Sequence, residues 1–327
     1  MNRQLISFPH QPDAEPQRPR VAVILPCYNE AVTIGHVVRR FRNALPDADI
    51  YVCDNNSSDE TARVAREAGA HVLFESYQGK GNAVRRLFSD VDADIYVMAD
   101  GDGTYDAKAA PALIEMLQDR RLAMINGARS YEGEGAFRSG HKFGNRLLTG
   151  LVHLSFGNLF RDMLSGYRVM SRRFVKSFPA LSDGFEIETE LTVHALHLRL
   201  PCAEVETPYF ARPEGSTSKL NTFRDGFRIL RVIARLVRDE KPLEFFSAAG
   251  GILALVAIGL IAPILLTYLE TGLVPRFPTL IGAVALGIVG VLSVMAGLIL
   301  DTLARARVEQ RRLAYLACPV NERFDRI

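Results

Sequence analysis

The sequence predicts an α/β domain on a mostly parallel sheet, followed by a two-helix membrane hairpin. Short continuous apolar runs alternate with helical stretches from Arg20 to about Thr207. Polar turns, several rich in glycine, close those runs. Two long apolar runs then fill most of the last third. Continuous apolar strands separated by helices imply a sheet covered on both faces. In such sheets ligands bind beyond the carboxyl ends of the strands.

Met1 to Arg20 is polar, carries Pro9, Pro12, Pro16 and Pro19, and lacks an apolar core. Residues 1–19 are expected to form a flexible tail, and no signal peptide is expected. Within the domain expected at 20–220, Val21–Leu25 reads as a buried strand and Ala31–Leu45 as a helix. The alternation continues with strand Ile50–Cys53, helix Asp59–Ala68, strand His71–Phe74 and helix Asn82–Ser89. Strand Ile95–Met98, helix Ala109–Leu117 and strand Leu122–Ile125 follow.

Residues 221–244 differ. Phe223, Phe227, Leu230, Ile233, Leu236 and Val237 recur at helical spacing with arginines between them. This pattern suits an interfacial helix lying on a bilayer; an ordinary amphipathic helix packed on its own domain fits it too. The apolar runs 245–269 and 279–300 each exceed the ~20 residues a spanning helix needs, and only Glu270–Pro278 separates them. Arginines crowd both outer flanks, while the connecting loop carries only Arg276. The positive-inside rule then places the large domain, the tail at 301–327 and both termini in the cytoplasm of a multi-pass inner-membrane protein. On the second run, Ala283, Gly287, Gly290, Ser293 and Gly297 form a stripe of small residues. It is either a contact for a homo-oligomer or the ordinary abundance of glycine in membrane helices.

The formal net charge of +2 predicts no nucleic-acid partner. Hydrophobic residues at 48% beside 23% charged fit a soluble domain joined to something more apolar. The 4 cysteines form no CxxC pair, so neither a zinc site nor a disulfide framework is expected. His141, His153, His194 and His197 have no carboxylate at ligand spacing and read as surface or core residues. Leu147–Phe160 is apolar and phenylalanine-bearing and reads as a mobile amphipathic helix or as core.

The chemistry concentrates at Met98-Ala-Asp-Gly-Asp-Gly-Thr-Tyr-Asp106, directly after a strand. A turn there can bring Asp100 and Asp102 to one side, where paired oxygen ligands suit Mg²⁺ or Mn²⁺ on a diphosphate. Three more polar turns fall at the carboxyl ends of predicted strands: Leu25-Pro-Cys-Tyr-Asn-Glu30, Val52-Cys-Asp-Asn-Asn-Ser-Ser-Asp-Glu-Thr61 and Gln78-Gly-Lys-Gly-Asn82. Asp54 can accept hydrogen bonds from a base or ribose. Lys80 can approach a phosphate at a helix N-terminus. Asn29 and Ser58 are also plain candidates for helix caps.

Together these motifs resemble family 2 glycosyltransferases of the GT-A fold. Within that family the chain looks like the branch of dolichyl-phosphate mannose synthase and the bacterial polyprenyl-phosphate glycosyltransferases. The resemblance implies that Pro26, Tyr28, Asn29, Glu30 and Asp54 line the nucleotide pocket with Lys80 beside them. It implies that Asp100 and Asp102 hold the metal, with Thr104 nearby. Arg129 matches an arginine facing the acceptor phosphate, and Arg138 corresponds to a second. Asp162-Met-Leu-Ser-Gly-Tyr-Arg168, with Ser165, matches the family's D-x-x-S-G-aromatic-R segment. Glu188 and Glu190 fall where the family has a helix behind the site. Arg212-Pro-Glu-Gly-Ser-Thr-Ser-Lys219 resembles a basic loop that closes over phosphates.

The expected reaction is metal-dependent, inverting transfer of a hexose or N-acetylhexosamine from a UDP- or GDP-sugar to polyprenyl phosphate. Arg129, Arg138, Arg212 and Lys219 suit phosphate contacts, and with Ser165 they are expected to bind the acceptor phosphate. A phosphate monoester, with a second pKa of about 6, is anionic at neutral pH and needs little help from a base. Two alternatives stay open. One is a hydroxyl acceptor, for which Glu188 or Glu190 would serve as base. The other is a non-catalytic anchor that binds nucleotide-sugar.

Overall fold

The computed structural model describes residues 18–131, 160–212, 238–239 and 241–319. Strands β1 (Val21–Cys27), β2 (Asp49–Asp54), β3 (His71–Phe74) and β4 (Ile95–Met98) alternate with α1 (Ile34–Ala44), α2 (Thr61–Glu67) and α3 (Lys80–Asp90). The order of the 7-stranded sheet is β3-β2-β1-β4-β6-β5-β7. Its last three strands are β5 (Met124–Tyr131), β6 (Arg168–Ser171) and β7 (Cys202–Tyr209). β6 runs antiparallel to both neighbours, whereas the other pairings are parallel.

β1 shows why the apolar runs are continuous. Ala22 and Ile24 enter one core with Ala83 and Leu87 of α3. Val23, Leu25 and Cys27 enter the other with Val38 and Phe41 of α1 and Leu113 of α4 (Ala110–Asp119). Period-2 side chains bury both faces, so no polar face is left to mark the strand. The chain winds outward from β1 through β2 to β3, then returns to place β4 on β1's other side. The gap between β1 and β4 is therefore the topological switch point where such sheets bind ligands.

The second half of the domain was less legible. β6 opens with fully buried Arg168, and β7 carries Glu204, Glu206 and Pro208. Neither reads as a strand by composition. Helices α5 (Arg172–Ser177) and α6 (Ile187–His197) join the core that covers α3.

Helices α7 (Pro242–Thr271) and α8 (Phe277–Ala317) occupy the two apolar runs and are long and apolar enough to cross a membrane, with hydropathy 2.6 in each. Gly272 ends α7 in the left-handed conformation. The small-residue stripe turns inward. Ala283, Gly290 and Gly297 are buried, and a Cβ on Gly250 would lie 2.6 Å from the Gly290 carbonyl oxygen. The two backbones of the hairpin touch there, which only glycine allows. Gly287 is open to its surroundings.

α8 does not stop at residue 300, where a separate tail was expected. Asp301–Ala317 holds mostly strong helix formers and no glycine or proline before Pro319, so nothing breaks the helix. Residues 1–17 of the tail, His141, His153, 147–159, Arg138, Lys219 and 221–237 of the interfacial segment lie outside the described residues.

Candidate active site

Four loops meet at the switch point, and side chains stitch them together. Asn29, with φ of 53°, accepts from the Ser58 N–H through Oδ1 at 2.7 Å, while its own N–H donates to Ser57 Oγ at 2.9 Å. The Glu30 N–H donates to Thr61 Oγ1 at 2.8 Å. Thr33 donates its hydroxyl to the Gly101 carbonyl at 2.7 Å, tying the loop after β1 to the acidic turn after β4. Asn55 ties in the third loop: its Nδ2 donates to the Tyr77 carbonyl and its Oδ1 accepts from the Gly79 N–H. Pro26 and buried Asp54 close the strand ends beneath these loops. Pro26, Tyr28, Asn29, Glu30 and Asp54 are thereby gathered along one edge of the sheet.

Asp100 and Asp102 stand on the turn after β4 in unlike settings. Asp102 is buried; its Oδ1 accepts from the Thr104 hydroxyl at 2.6 Å, and its Oδ2 lies 2.7 Å from Arg212. Burial and neighbouring Asp100 raise its pKa, with Arg212 pulling the other way. Asp100 is the more open carboxylate, with side-chain exposure of 28% against 4% for Asp102. A Cβ on Gly166 would lie 2.8 Å from an Asp100 carboxylate oxygen. Glycine at that point is what gives Asp100 its room.

Lys80 begins α3, and its ammonium bonds both Asp100 and Glu188 Oε1. Burial disfavours its charge, but the two carboxylates more than offset that and hold its pKa above the ordinary lysine value. Burial raises the pKa of Glu188 while Lys80 lowers it. The N-terminus of α3 is capped from within the chain: the N–H groups of Gly81 and Asn82 donate to the Asp183 carbonyl at 3.0 and 3.4 Å. Lys80 therefore reaches the site through its side chain. Glu190 accepts from the backbone N–H groups of Leu181 and Ser182 and so fixes the loop that caps α3.

On the next strands, Arg129 of β5 makes a two-pronged bond to Asp162, with Nε and Nη2 each at 2.7 Å. Burial opposes the charge on Asp162, but Arg129 holds its pKa below the usual carboxylate value. The Arg129 guanidinium lies 5.7 Å from the Tyr209 ring, which packs edge-on against Tyr105 at 5.2 Å. Tyr105 in turn accepts the Gly166 N–H. This aromatic pair links Arg129 to the acidic turn. Ser165 is fully buried, with its hydroxyl donating to the Gly127 carbonyl and accepting from the Tyr167 N–H. It belongs to the frame behind Arg129 rather than to an open phosphate-binding surface. Arg168 is buried too, donating to the carbonyls of Met163 and Glu188.

Sequence reasoning passed over Asp162 as the partner of Arg129, Glu188 as the partner of Lys80, and Asn55. Asn55 carried a signal, standing inside a motif already singled out. The two ion pairs join residues 33 and 108 positions apart, beyond any local pattern.

Two carboxylates at a switch point fit a hard divalent ion that keeps water and phosphate oxygens in the rest of its shell. Among the described residues, no group of three or more His, Cys, Asp or Glu side chains is placed to enclose an ion. A shell completed by substrate suits this site better than a closed protein cage.

Residues 22–178 match the model of Glycosyl transferase family 2. Glycosyltransferase AglJ of Haloferax volcanii is 35% identical over 241 residues, covering 73% of this chain and 79% of AglJ. The chain belongs to glycosyl transferase family 2. Over 309 residues this transferase is 25% identical to the undecaprenyl-phosphate 4-deoxy-4-formamido-L-arabinose transferase of Enterobacter sp. (strain 638), covering 89% of this chain and 90% of that one. Its relatives thus include the polyprenyl-phosphate branch suggested by the motifs. The catalytic fold is shared with glucosyl-3-phosphoglycerate synthase of Mycobacterium tuberculosis, solved with Mn²⁺ and UDP-glucose. The TM-score is 0.55 at 24% identity, covering 67% of this chain and 78% of that one.

Proposed function

We propose that this transferase moves a hexose or N-acetylhexosamine from a UDP- or GDP-sugar to a polyprenyl phosphate at the cytoplasmic face of the inner membrane, inverting the anomeric carbon. The observation that carries the reading is Arg129, aimed by Asp162 and linked through Tyr209 and Tyr105 to the acidic turn. Asp162 takes the Nε–Nη2 edge of the guanidinium and so fixes its orientation, which suits it to position a phosphate rather than to grip one with that edge. The apolar hairpin supplies a reason for the acceptor phosphate to belong to a lipid.

Asp100 and Asp102 would hold Mg²⁺ or Mn²⁺, which when bound supplies charge to stabilise the departing nucleoside diphosphate. Lys80 and Arg212, already on those carboxylates, offer cations for the diphosphate oxygens. The loop from Tyr28 to Glu30, together with Asp54, would orient the nucleotide. The acceptor phosphate is anionic at neutral pH, so positioning replaces a general base. The hydroxyl-acceptor reading would need Glu188 or Glu190 as that base; Glu188 bonds the Lys80 ammonium and Glu190 holds the Leu181 and Ser182 N–H groups, which favours the phosphate acceptor.

The test is a panel of UDP- and GDP-sugars offered with undecaprenyl phosphate, the lipid product being identified by mass. One sugar is expected to appear on the lipid phosphate, and Asp102→Ala should lower its formation by at least about a hundredfold while the protein stays folded. Transfer only to hydroxyl acceptors, or undiminished transfer by that variant, would overturn the reading.

A further inference from the structure

One face of α8 is occupied along its whole length. Ala283, Gly290, Gly297 and Ala304 are buried, each seven residues after the last. The same stripe continues half-buried through Val308, Arg311, Tyr315 and Cys318, while Leu303, Leu313 and Leu316 on other faces are exposed. Alternating steps of three and four keep one line of a helix in contact. In the apolar half that line meets α7, Gly290 against Gly250 and Gly297 against Phe246. Beyond Asp301 it meets the catalytic domain.

The upper contact is reciprocal. Arg173 of α5 donates Nε to the Tyr315 carbonyl at 3.2 Å, and its guanidinium lies 4.4 Å from the Tyr315 ring. Arg312 of α8 reaches the Leu198 carbonyl at the end of α6, at 3.5 Å. Each arginine meets a carbonyl in or just after the final turn of the other side's helix, where a cation offsets the negative end of the dipole.

We propose that α8 sets the height and rotation of the catalytic domain above the bilayer, so that a lipid-held acceptor phosphate meets the site in one orientation. The proposal rests on the lipid-phosphate reading. From Asp301 to Tyr315 an uninterrupted helix spans about 20 Å. Rotation is transmitted along it because both contacts use one stripe.

The test uses the full chain in proteoliposomes with undecaprenyl phosphate, and in parallel a short-chain, water-soluble polyprenyl phosphate. Inserting two alanines after exposed Ala306 turns the upper stripe by about 200°. That insertion should cut transfer to the bilayer-held acceptor by about tenfold or more and leave transfer to the soluble acceptor within about twofold. A seven-residue helical insertion restores the face to within about 20° but raises the domain by about 10 Å. It should re-form the contact and still impair bilayer transfer. The contact is read by cross-linking Arg173→Cys to Tyr315→Cys in a Cys318→Ser background. Cross-linking is expected in the parental register and the seven-residue insertion, and lost with two alanines.

Full bilayer transfer by the two-alanine variant, or no cross-link in the parental register, overturns the proposal. If the parent transfers to no lipid phosphate at all, the functional reading fails, and the cross-linking pattern alone decides whether α8 sets the register.

Discussion

Arg212 lies 2.7 Å from Asp102 Oδ2, on the carboxylate whose other oxygen Thr104 holds. A cation of the chain thus stands on the turn assigned to a divalent ion. Removing it by Arg212→Ala leaves Asp102 short of counter-charge. Mn²⁺ binding without donor should tighten about fivefold, the equivalent of roughly 1 kcal/mol, while sugar transfer falls. Titration of Mn²⁺ followed by electron paramagnetic resonance reads the first effect. Weaker or unchanged binding would show that the arginine does not compete with the ion.

Glu188 and Glu190 stand two residues apart on α6 and should fail differently. Glu188→Gln removes one of the two charges on Lys80 and should lower kcat by about tenfold or more with little change in Tm. Glu190→Ala removes the acceptor of the Leu181 and Ser182 N–H groups on a partly exposed loop and should cost about 0.5–1.5 kcal/mol of stability. Thermal unfolding and steady-state kinetics on both variants separate the roles. Equal loss of kcat and Tm in both would refute the division.

Gly166→Ala tests the space beside Asp100. The added methyl would lie 2.8 Å from a carboxylate oxygen, closer than ordinary contact. Asp100 has to move, and a 1 Å displacement at a reacting centre can cost about a hundredfold in rate. Metal affinity and transfer rate should both fall while far-UV circular dichroism stays native. A variant with wild-type metal affinity would mean that Asp100 tolerates the shift.

Acid should destabilise the domain through its buried histidines. Burial, with Arg311 nearby, pushes the pKa of His194 down to about 3 and that of His197 down to about 4. His194 packs between Phe174 and Phe178 and shares a 3.2 Å bond with Ser177. The unfolded chain takes up protons below about pH 6.5 and the folded one does not, so stability falls as pH drops from 6.5 toward 4. The slope is up to about 1.4 kcal/mol per pH unit for each group. His194→Leu should flatten part of that slope. The measurement is Tm against pH for both proteins, and parallel curves would remove His194 from the account.

Much of the first half of the fold was readable because β1 and β4 are buried on both faces, β2 is buried over most of its length, and their helices follow at once. The polar turns at their ends then marked the site. β6 was not readable, because its opening arginine owes its place to carbonyls from Met163 and Glu188, not to local propensity. The small-residue stripe was visible, but its partner was not: α7 receives it within the same chain. Helix propensity past residue 300 was present in the residues, yet the change from apolar to charged composition concealed that one helix continues through both.

Local order along the chain was enough to establish the parallel core, the acidic turn after β4 and the apolar hairpin, since each depends on neighbours a few positions away. Folding in three dimensions settled which charges meet. Lys80 finds Asp100 and Glu188, Arg129 finds Asp162, and the end of α8 finds α5. Those contacts join residues far apart in the chain: a buried charge must find its counter-charge wherever the packing of the sheet and its helices brings one within reach, and Arg173 meets instead the carbonyl and ring of Tyr315.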